Sequence, residues 1–134
     1  MTFRQILNLQ YTSMQNSSLQ YADLRYSNIQ DANLSNANMQ NSSLQYADLR
    51  YSNLEYANLH GADLRNSNLK YANLNNSCLP LSCGSFDVKV DKTIVAQLAY
   101  HFCRLSCDDE EVKVAQKALK DLANQFHIDE ECED

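Results

Sequence analysis

Four cysteine and histidine side chains near the end of the sequence have the chemistry of a metal site. Cys and His are the usual zinc ligands, and these four are Cys103, Cys107, His127 and Cys132. Residues 108–127 contain no Gly or Pro, so they are predicted to form one continuous helix about 30 Å long, at 1.5 Å per residue. Because such a helix in a hairpin would carry Cys132 far from Cys107, we expect no metal site.

The cysteines could also pair with one another. In the predicted hairpin, Cys132 returns toward the start of the first helix, where it can contact Cys83 and lies near Cys78. In a reducing cytosol such a contact would consist of two thiols rather than a disulfide. Five cysteines are an odd number, so at least one stays unpaired within the chain. Cys103 falls opposite the apolar stripe of its helix, where it is either exposed or buried at a second interface.

No arrangement of residues indicates catalysis. The sequence has no Gly-rich phosphate loop, no nucleophile elbow and no HExxH motif. His101 lies on the predicted apolar stripe and is expected to pack there, whereas His60 replaces a Gln on an outward column and is expected at the surface. We therefore predict a protein that is not an enzyme and has no cofactor.

The longest regular pattern in the sequence has a period of five: every fifth residue from Leu9 to Leu79 is Leu, Ile or Met. Ala, Ser or Thr stands two places before almost every member of this series, with Leu7 as the exception. A period of five fits neither the 3.6 residues of a helical turn nor the alternation of a flat strand, so the chain must turn a corner after each short unit. The members of the series are Leu9, Met14, Leu19, Leu24, Ile29, Leu34, Met39, Leu44, Leu49, Leu54, Leu59, Leu64, Leu69, Leu74 and Leu79.

Units such as ADLRY, SNLEY and ANLHG give this part of the chain a resemblance to the pentapeptide-repeat family, whose pattern is roughly A(D/N)LXX. The resemblance covers about residues 7–81. It implies a mainly β fold, a right-handed quadrilateral β-helix of just under four coils, with four units in each coil. The large central residue and the small residue two before it would then point inward and leave no pocket for a small substrate.

Stacking at a period of 20 predicts columns of outward side chains. One column holds Tyr11, Asp31, Tyr51 and Tyr71, and Tyr26 and Tyr46 stand beside a second. Two interpretations of these columns are open. They are either surface pairs that stabilise the sheet or a recognition face, because Tyr and Arg are favoured at protein interfaces. The candidate interaction face consists of Tyr11, Tyr51, Tyr71, Arg50, Lys70, Arg25 and Arg65.

Beyond Pro80 and Gly84 the pattern changes from the pentad to a short strand, with Phe86, Val88 and Val90 alternating with polar residues, and then to two helices. The domains are therefore predicted as residues 1–81, the β-helix, and 82–134, a strand or linker followed by a two-helix cap. Asp91 is the expected N-cap of the first helix. Asp108, with Glu111 three residues later, is expected to open the second.

The helices carry apolar stripes that could cover the last coil, because the open end of a stacked β-column invites aggregation. Phe3 and Ile6 could cover the other end. Pentapeptide-repeat relatives also imply a homodimer through the C-terminal helices. The candidate cap or dimer contacts are Ile94, Leu98, Phe102, Leu105, Leu119, Leu122 and Phe126.

Charge is distributed unevenly along the chain, and its distribution limits the kinds of molecule that the protein could bind. Residues 1–80 hold five acids and five bases, so the net charge of −6 comes entirely from residues 81–134. Because neither part is a basic patch, we expect no direct contact with nucleic acid. The start of the sequence lacks the long apolar stretch of a secretory signal, and no apolar run is long enough to span a bilayer, so we expect no membrane contact and a cytoplasmic protein. A bacterial or phage origin is a separate expectation.

Three functions are consistent with these features. The first is a non-enzymatic protein–protein interaction scaffold with an unknown protein partner. The second is a DNA-mimicking binder of DNA gyrase or of another DNA-binding enzyme, which the resemblance allows, although the neutral repeat half argues against it. The third is a small architectural protein that acts by self-association.

Overall fold

A computed structural model describes residues 6–80 and 87–125 of the 134-residue chain. The chain divides into two compact units, Met1–Val90 and Asp91–Asp134. The boundary predicted after residue 81 adjoins residues 81–86, which lie outside the described residues, and it stays a prediction. Phe3 and Phe86 also lie outside them.

The first unit is a solenoid whose coils contain 20 residues. Its strands are reduced to isolated parallel bridges, and along residues 6–80 each bridge joins positions 20 apart, as Asn8 joins Asn28 and Asn28 joins Asp48. Four pentads therefore complete one coil, and the next coil stacks on the first in register. Among the described residues no longer strand is present, because the chain turns a corner after every pentad.

Each corner is a β-turn with a residue of positive φ in its third position. The N–H of Ser52 donates to the carbonyl of Leu49 at 3.1 Å, and the intervening Tyr51 has φ 60°. A type II turn needs a positive φ at this position, which favours Gly, Asn and Asp. Gly61 occupies it once, and seven of the eight tyrosines occupy it as well.

A pentad with Asn or Asp before its central residue can satisfy all of its backbone donors, as the unit around Leu49 illustrates. The N–H groups of Asp48, Leu49 and Tyr51 donate to carbonyls of the adjacent coils at 3.0, 2.8 and 3.3 Å. The Ser52 N–H closes the turn, and the Arg50 N–H donates to Oδ1 of Asp48 at 3.2 Å. Asn or Asp before the central residue is thus an acceptor for a donor that the coil geometry leaves unpaired.

The core is a filled column of central side chains with small residues near the corners. From Leu24 to Leu74 every central residue is at most 6% exposed, and Ala32, Ala47 and Ala62 are each 1% exposed. At this second inward position the hydroxyls of Ser27, Ser42, Ser52 and Ser77 donate to the carbonyl of the central residue three places before, as Ser52 Oγ does to the carbonyl of Leu49 at 2.7 Å. The inward placement predicted for both positions is confirmed.

The solenoid resumes after the break at Pro80. Asp87 has φ 59°, like the turn residues before it, and Lys89 forms a parallel bridge with Asn68. Its N–H donates to the carbonyl of Ser67 at 2.9 Å. The spacing from Asn68 to Lys89 is 21 residues rather than 20, so the predicted strand continues one column of bridges with a shift of one residue.

The second unit contains two helices, α1 (Lys92–Cys103) and α2 (Glu110–Asn124). Asp91 caps α1 as predicted, with its carboxylate accepting from the Thr93 N–H at 3.1 Å. The N-cap of α2 is Asp109 rather than Asp108, because its Oδ1 accepts from the N–H groups of Glu111 and Val112 in the first turn of that helix. Neither described helix is long and apolar enough to cross a membrane.

The helices pack antiparallel around one buried cluster. Ala99 and Tyr100 form a buried cluster with Ala123, against which Cys103, Leu119 and Leu122 pack. The amide of Gln116 joins the end of α1, donating to the carbonyls of Phe102 at 2.9 Å and Leu105 at 2.8 Å.

This face differs from the predicted stripe. Leu98 and Leu105 are 50% and 62% exposed, and His101, which was expected to pack on the stripe, is exposed. Cys103, placed opposite the stripe, packs in the interface instead. The stripe prediction assumed that the large aliphatic side chains of α1 face α2, whereas the face that packs there carries Ala99, Tyr100 and Cys103.

Candidate interaction surface

The outward side chains of the solenoid stand in columns, because every coil repeats the same turn 20 residues later. Two neighbouring corners hold most of the candidate residues. The first corner is defined as residues 26, 46 and 66 with the adjoining side chains 25, 45 and 65. The second corner is defined as residues 11, 31, 51 and 71 with the adjoining side chains 10, 30, 50 and 70. The pentads centred on Ile29, Leu49 and Leu69 connect the two corners.

Two tyrosines stack at the first corner. The rings of Tyr26 and Tyr46 have centroids 5.0 Å apart and planes 2° apart. The two residues remain 48% and 54% exposed, so the stack presents its edges to solvent. Asn66 takes the same turn position one coil later, with φ 61°, and its shorter side chain ends the row of rings.

The arginines of the first corner are paired with aspartates of their own pentads. Arg25 Nε and Nη2 donate to the Asp23 carboxylate at 2.8 Å each, and Arg65 makes the same two-point contact with Asp63. The hydrogen bond and the charge of Asp23 raise the pKa of the Arg25 guanidinium. The hydrogen bond from Arg65 lowers the pKa of Asp63 against the opposing effect of burial.

Gln45 joins the coils between these two pairs. Its Nε2 donates to Oδ2 of Asp63 at 2.8 Å, whereas its Oε1 is buried and has no hydrogen-bond partner among the described residues. Beside the stack runs a groove of about 300 Å³. The groove is lined by Arg25, Tyr26, Gln45, Tyr46, Arg65 and Asn66.

The second corner carries another stacked pair. Tyr51 and Tyr71 have ring centroids 5.0 Å apart and planes 16° apart. Asp31 takes the equivalent position one coil before Tyr51, so Tyr11, which is 74% exposed, stands apart from the pair. Within the described residues, Lys70 forms no ion pair.

Arg50 repeats the aspartate pairing at this corner. Its Nη2 lies 2.7 Å from Oδ2 of Asp48, and its Nε donates to Oδ1 at 2.9 Å. Partial burial raises the pKa of Asp48, but the hydrogen bonds and charge of Arg50 outweigh it and lower the pKa overall.

The structure therefore brings the predicted face together in two groups. Arg25 and Arg65 share the groove, and Arg50, Lys70, Tyr51 and Tyr71 share the second corner. Their role in binding stays a prediction. Sequence reasoning missed the intrapentad pairs, although an Asp stands two places before each of the three arginines in the repeated motif ADLR.

No group of three or more potential metal ligands occurs among the described residues. Cys103 Sγ donates to the Gln116 carbonyl at 3.3 Å, and Cys78 and Cys107 are exposed thiols. The proposed partners Cys83, His127 and Cys132 lie outside the described residues. His60 is exposed, as predicted.

The candidate contacts of the helical unit differ in burial. Ile94 is 3% exposed, whereas Leu98 and Leu105 are largely open and Phe102 is partly buried. Leu119 and Leu122 pack inside the hairpin. Phe126 lies outside the described residues, and the role of all seven as cap or dimer contacts stays a prediction.

Comparison with known protein families gives a match to pentapeptide repeats. The family model that matches is described as pentapeptide repeats (8 copies), and it matches residues 8–41 and 42–79. Together they cover more than half of the 134 residues. No curated protein matches the chain.

Solved structures of pentapeptide-repeat proteins also match. HetL, involved in heterocyst differentiation regulation in the cyanobacterium Nostoc sp. strain PCC 7120, is 30% identical over 61% of this chain and 38% of its own, with a TM-score of 0.30. Rfr23 from the cyanobacterium Cyanothece 51142 is 30% identical over 63% of this chain and 57% of its own, with a TM-score of 0.32.

A further match is QnrB1, a plasmid-mediated fluoroquinolone resistance protein. It is 14% identical over 75% of this chain and 65% of its own, with a TM-score of 0.31. The chain thus spans less than two thirds of each of these three proteins.

Proposed function

Because the chain belongs to the pentapeptide-repeat family, we propose that it is a non-enzymatic scaffold that binds another protein through the outer columns of its solenoid. The same membership supports a right-handed quadrilateral β-helix of just under four coils. The filled core supports a role for the surface alone, since every central side chain from Leu24 to Leu74 is buried and none lines a cleft.

The observation that carries the proposal is the ordered display of Tyr and Arg at neighbouring corners. Two pairs of tyrosines are stacked at 5.0 Å, and the guanidiniums of Arg25, Arg50 and Arg65 are each held by an aspartate. Side chains already fixed in one geometry lose less conformational entropy on binding than mobile ones. Tyr and Arg are also the residues that most often carry binding energy at protein interfaces.

The charges of the solenoid favour a protein partner over mimicry of DNA. A DNA mimic must present a dense row of unpaired acidic groups. Here Asp23, Asp48 and Asp63 are each paired with an arginine, which leaves little net charge on these columns. We expect purified DNA gyrase to be neither inhibited nor protected by the protein in a supercoiling assay.

Affinity capture from the native host, followed by identification and reconstitution with the purified partner, tests the scaffold function. We expect the double variant Tyr26→Ala/Tyr46→Ala, or Tyr51→Ala/Tyr71→Ala, to weaken binding of the reconstituted partner by at least about tenfold. The control is Tyr21→Ala/Tyr56→Ala, which removes two tyrosines from the same turn position that have no stacked neighbour. Equal binding by the stack variants and the control would contradict the proposal.

Self-association through the helical unit is the second part of the proposal. Leu98 on α1, Leu105 just beyond its end and Val114 on α2 are 50%, 62% and 68% exposed, which leaves apolar area that a second copy could cover. Light scattering across a dilution series should show a concentration-dependent mass that Leu98→Glu lowers. A mass that stays that of the monomer at every concentration would contradict self-association.

We propose a cytoplasmic location, which fractionation of the host would test.

A further inference from the structure

The row of stacked rings at the first corner stops after two of its three turn positions. What we infer from this rests on the scaffold function and concerns the chemistry of the partner. Tyr26 covers one ring face of Tyr46, and no other described ring contacts Tyr46. One coil later the same turn position holds Asn66, whose side chain is too short to form the next ring of the row. Tyr46 is 54% exposed.

The groove beside this position has room for a ring. Its volume of about 300 Å³ corresponds to roughly ten water molecules at about 30 Å³ each. Its lining spans three successive coils, from Arg25 and Tyr26 to Arg65 and Asn66. An incoming ring would therefore meet a parallel ring on one side and polar side chains on the other.

The charges of the groove select an uncharged occupant. Arg25 and Arg65 each use two guanidinium N–H groups for Asp23 and Asp63, so the local charge is balanced, while the Arg25 guanidinium has further donors to offer. A balanced groove has little attraction for phosphate or for an acidic segment. Its remaining donors suit the neutral carbonyls of a polypeptide.

We propose that Tyr46, Arg65 and Asn66 form a notch that receives an aromatic side chain of the partner protein. The ring lies over Asn66 and continues the stack on Tyr46, in offset parallel contact at the spacing of the coils. The occupant is thus an exposed Trp or Tyr in an uncharged segment of the partner.

The second corner lacks this property. One coil before Tyr51 the turn position holds Asp31 instead of a tyrosine, and Asp31 forms no ion pair within the described residues. A carboxylate next to the face of an incoming ring repels the π electrons of that face. The neutral Asn66 therefore distinguishes the two corners and directs the aromatic residue to the first.

The experiment uses the full chain, labelled with ¹⁵N, and N-acetyl-tryptophanamide as the probe. We expect chemical-shift changes confined to the amides around Tyr46, Arg65 and Asn66, with saturable binding. Tyr46→Ala should weaken the binding about tenfold because the stacking surface is lost. Raising the salt concentration should leave the affinity nearly unchanged.

Asn66→Tyr is the sharper variant, because it fills the notch with the protein's own ring. The fold accepts Tyr here, since seven tyrosines adopt φ 59–65° at the same position and Asn66 has φ 61°. We expect this variant to lose probe binding. Asn36→Tyr is the matched control, because it makes the same change at an equivalent turn with φ 57°, and it should keep the wild-type affinity.

Several outcomes would overturn the notch. They are equal binding by Asn66→Tyr and the wild type, shifts at Tyr51 and Tyr71 instead, or tighter binding of inorganic phosphate than of the probe. The notch and the scaffold function fail separately. If the probe binds but no captured protein depends on the stacked tyrosines, the scaffold function is contradicted. If a captured protein depends on these tyrosines but the probe does not bind, only the notch is contradicted.

Discussion

The solenoid and the helical hairpin of this protein are stabilised at different scales. In the solenoid most pentads repeat one set of contacts: a buried central residue, a small corner residue, and an Asn or Asp that accepts the N–H of the residue after the central one. In the hairpin one buried cluster of Ala99, Tyr100 and Ala123 and two N-caps hold fifteen- and twelve-residue helices together. Repetition spreads stability over many equivalent positions, whereas the hairpin depends on a few.

The largest expected difference lies in the two cores. Leu49 is fully buried, and Leu49→Ala should lower the free energy of unfolding of the solenoid by about 3 kcal/mol because the stacked coils cannot close the cavity. Leu119 is only partly buried, and Leu119→Ala should cost the hairpin about 1 kcal/mol. Near-UV circular dichroism follows the solenoid, which holds seven of the eight tyrosines, and the 222 nm signal follows the helices. Equal losses would mean that the two cores are not packed differently.

One kind of hydrogen bond occurs in both units and allows a direct comparison. Asn53 Oδ1 accepts the Glu55 N–H at 3.0 Å, and Asp109 Oδ1 accepts the Glu111 N–H at 2.9 Å. Replacing either residue by Ala should cost about 1 kcal/mol in urea unfolding, the usual value of a lost cap. A loss in one unit only would show that the turn residue and the helix cap are not equivalent.

The same argument predicts a stabilising substitution. Ser43 stands where other pentads have Asn or Asp, and the N–H of Gln45 has no acceptor among the described residues. Ser43→Asn should therefore raise the urea midpoint of the solenoid by an amount that corresponds to about 0.5–1 kcal/mol. A lower midpoint would contradict the role assigned to this position.

Two buried serines should respond to Ala with opposite sign. Ser52 Oγ donates to the Leu49 carbonyl at 2.7 Å, whereas Ser67 Oγ is buried without a partner among the described residues. We expect Ser52→Ala to destabilise the solenoid by about 1 kcal/mol, and Ser67→Ala to stabilise it by a similar or smaller amount, because an unsatisfied hydroxyl is removed. Thermal unfolding of the two variants side by side would show whether the hydroxyls differ as described.

The smallest expected effect depends on pH. The hydrogen bond from Arg65 lowers the pKa of Asp63 in the folded state, so its stabilisation is present above the unfolded pKa of about 3.9 and is lost as the pH falls through the lower folded value. Asp63→Asn should cost less than about 1 kcal/mol at pH 6.5, because the pair is partly exposed, and nothing at a pH well below 3. A difference that grows on acidification would have the wrong sign and would exclude the pair as its source.

The accuracy of the sequence-based prediction also differed between the two units. In the solenoid the five-residue period identified the inward residues, from Leu24 to Leu74, and the family. In the hairpin the apolar stripe misplaced Leu98, His101 and Cys103, because a helix alone does not reveal which of several apolar faces its partner will cover. The outward columns could be listed from the period of 20, but the pairing of Arg25 with Asp23 had to be seen in the structure.

The sequence by itself determined the solenoid, because steric limits and backbone donors recur identically in each pentad and admit one placement of Leu, Ala and Asn. Only the tertiary structure decided the properties of its surface. Whether Tyr26 and Tyr46 stack, and where Asn66 ends that stack, depend on distances between coils. Those contacts join residues that are neighbours in space but not in the local pattern, and the same holds for the face that α1 presents to α2.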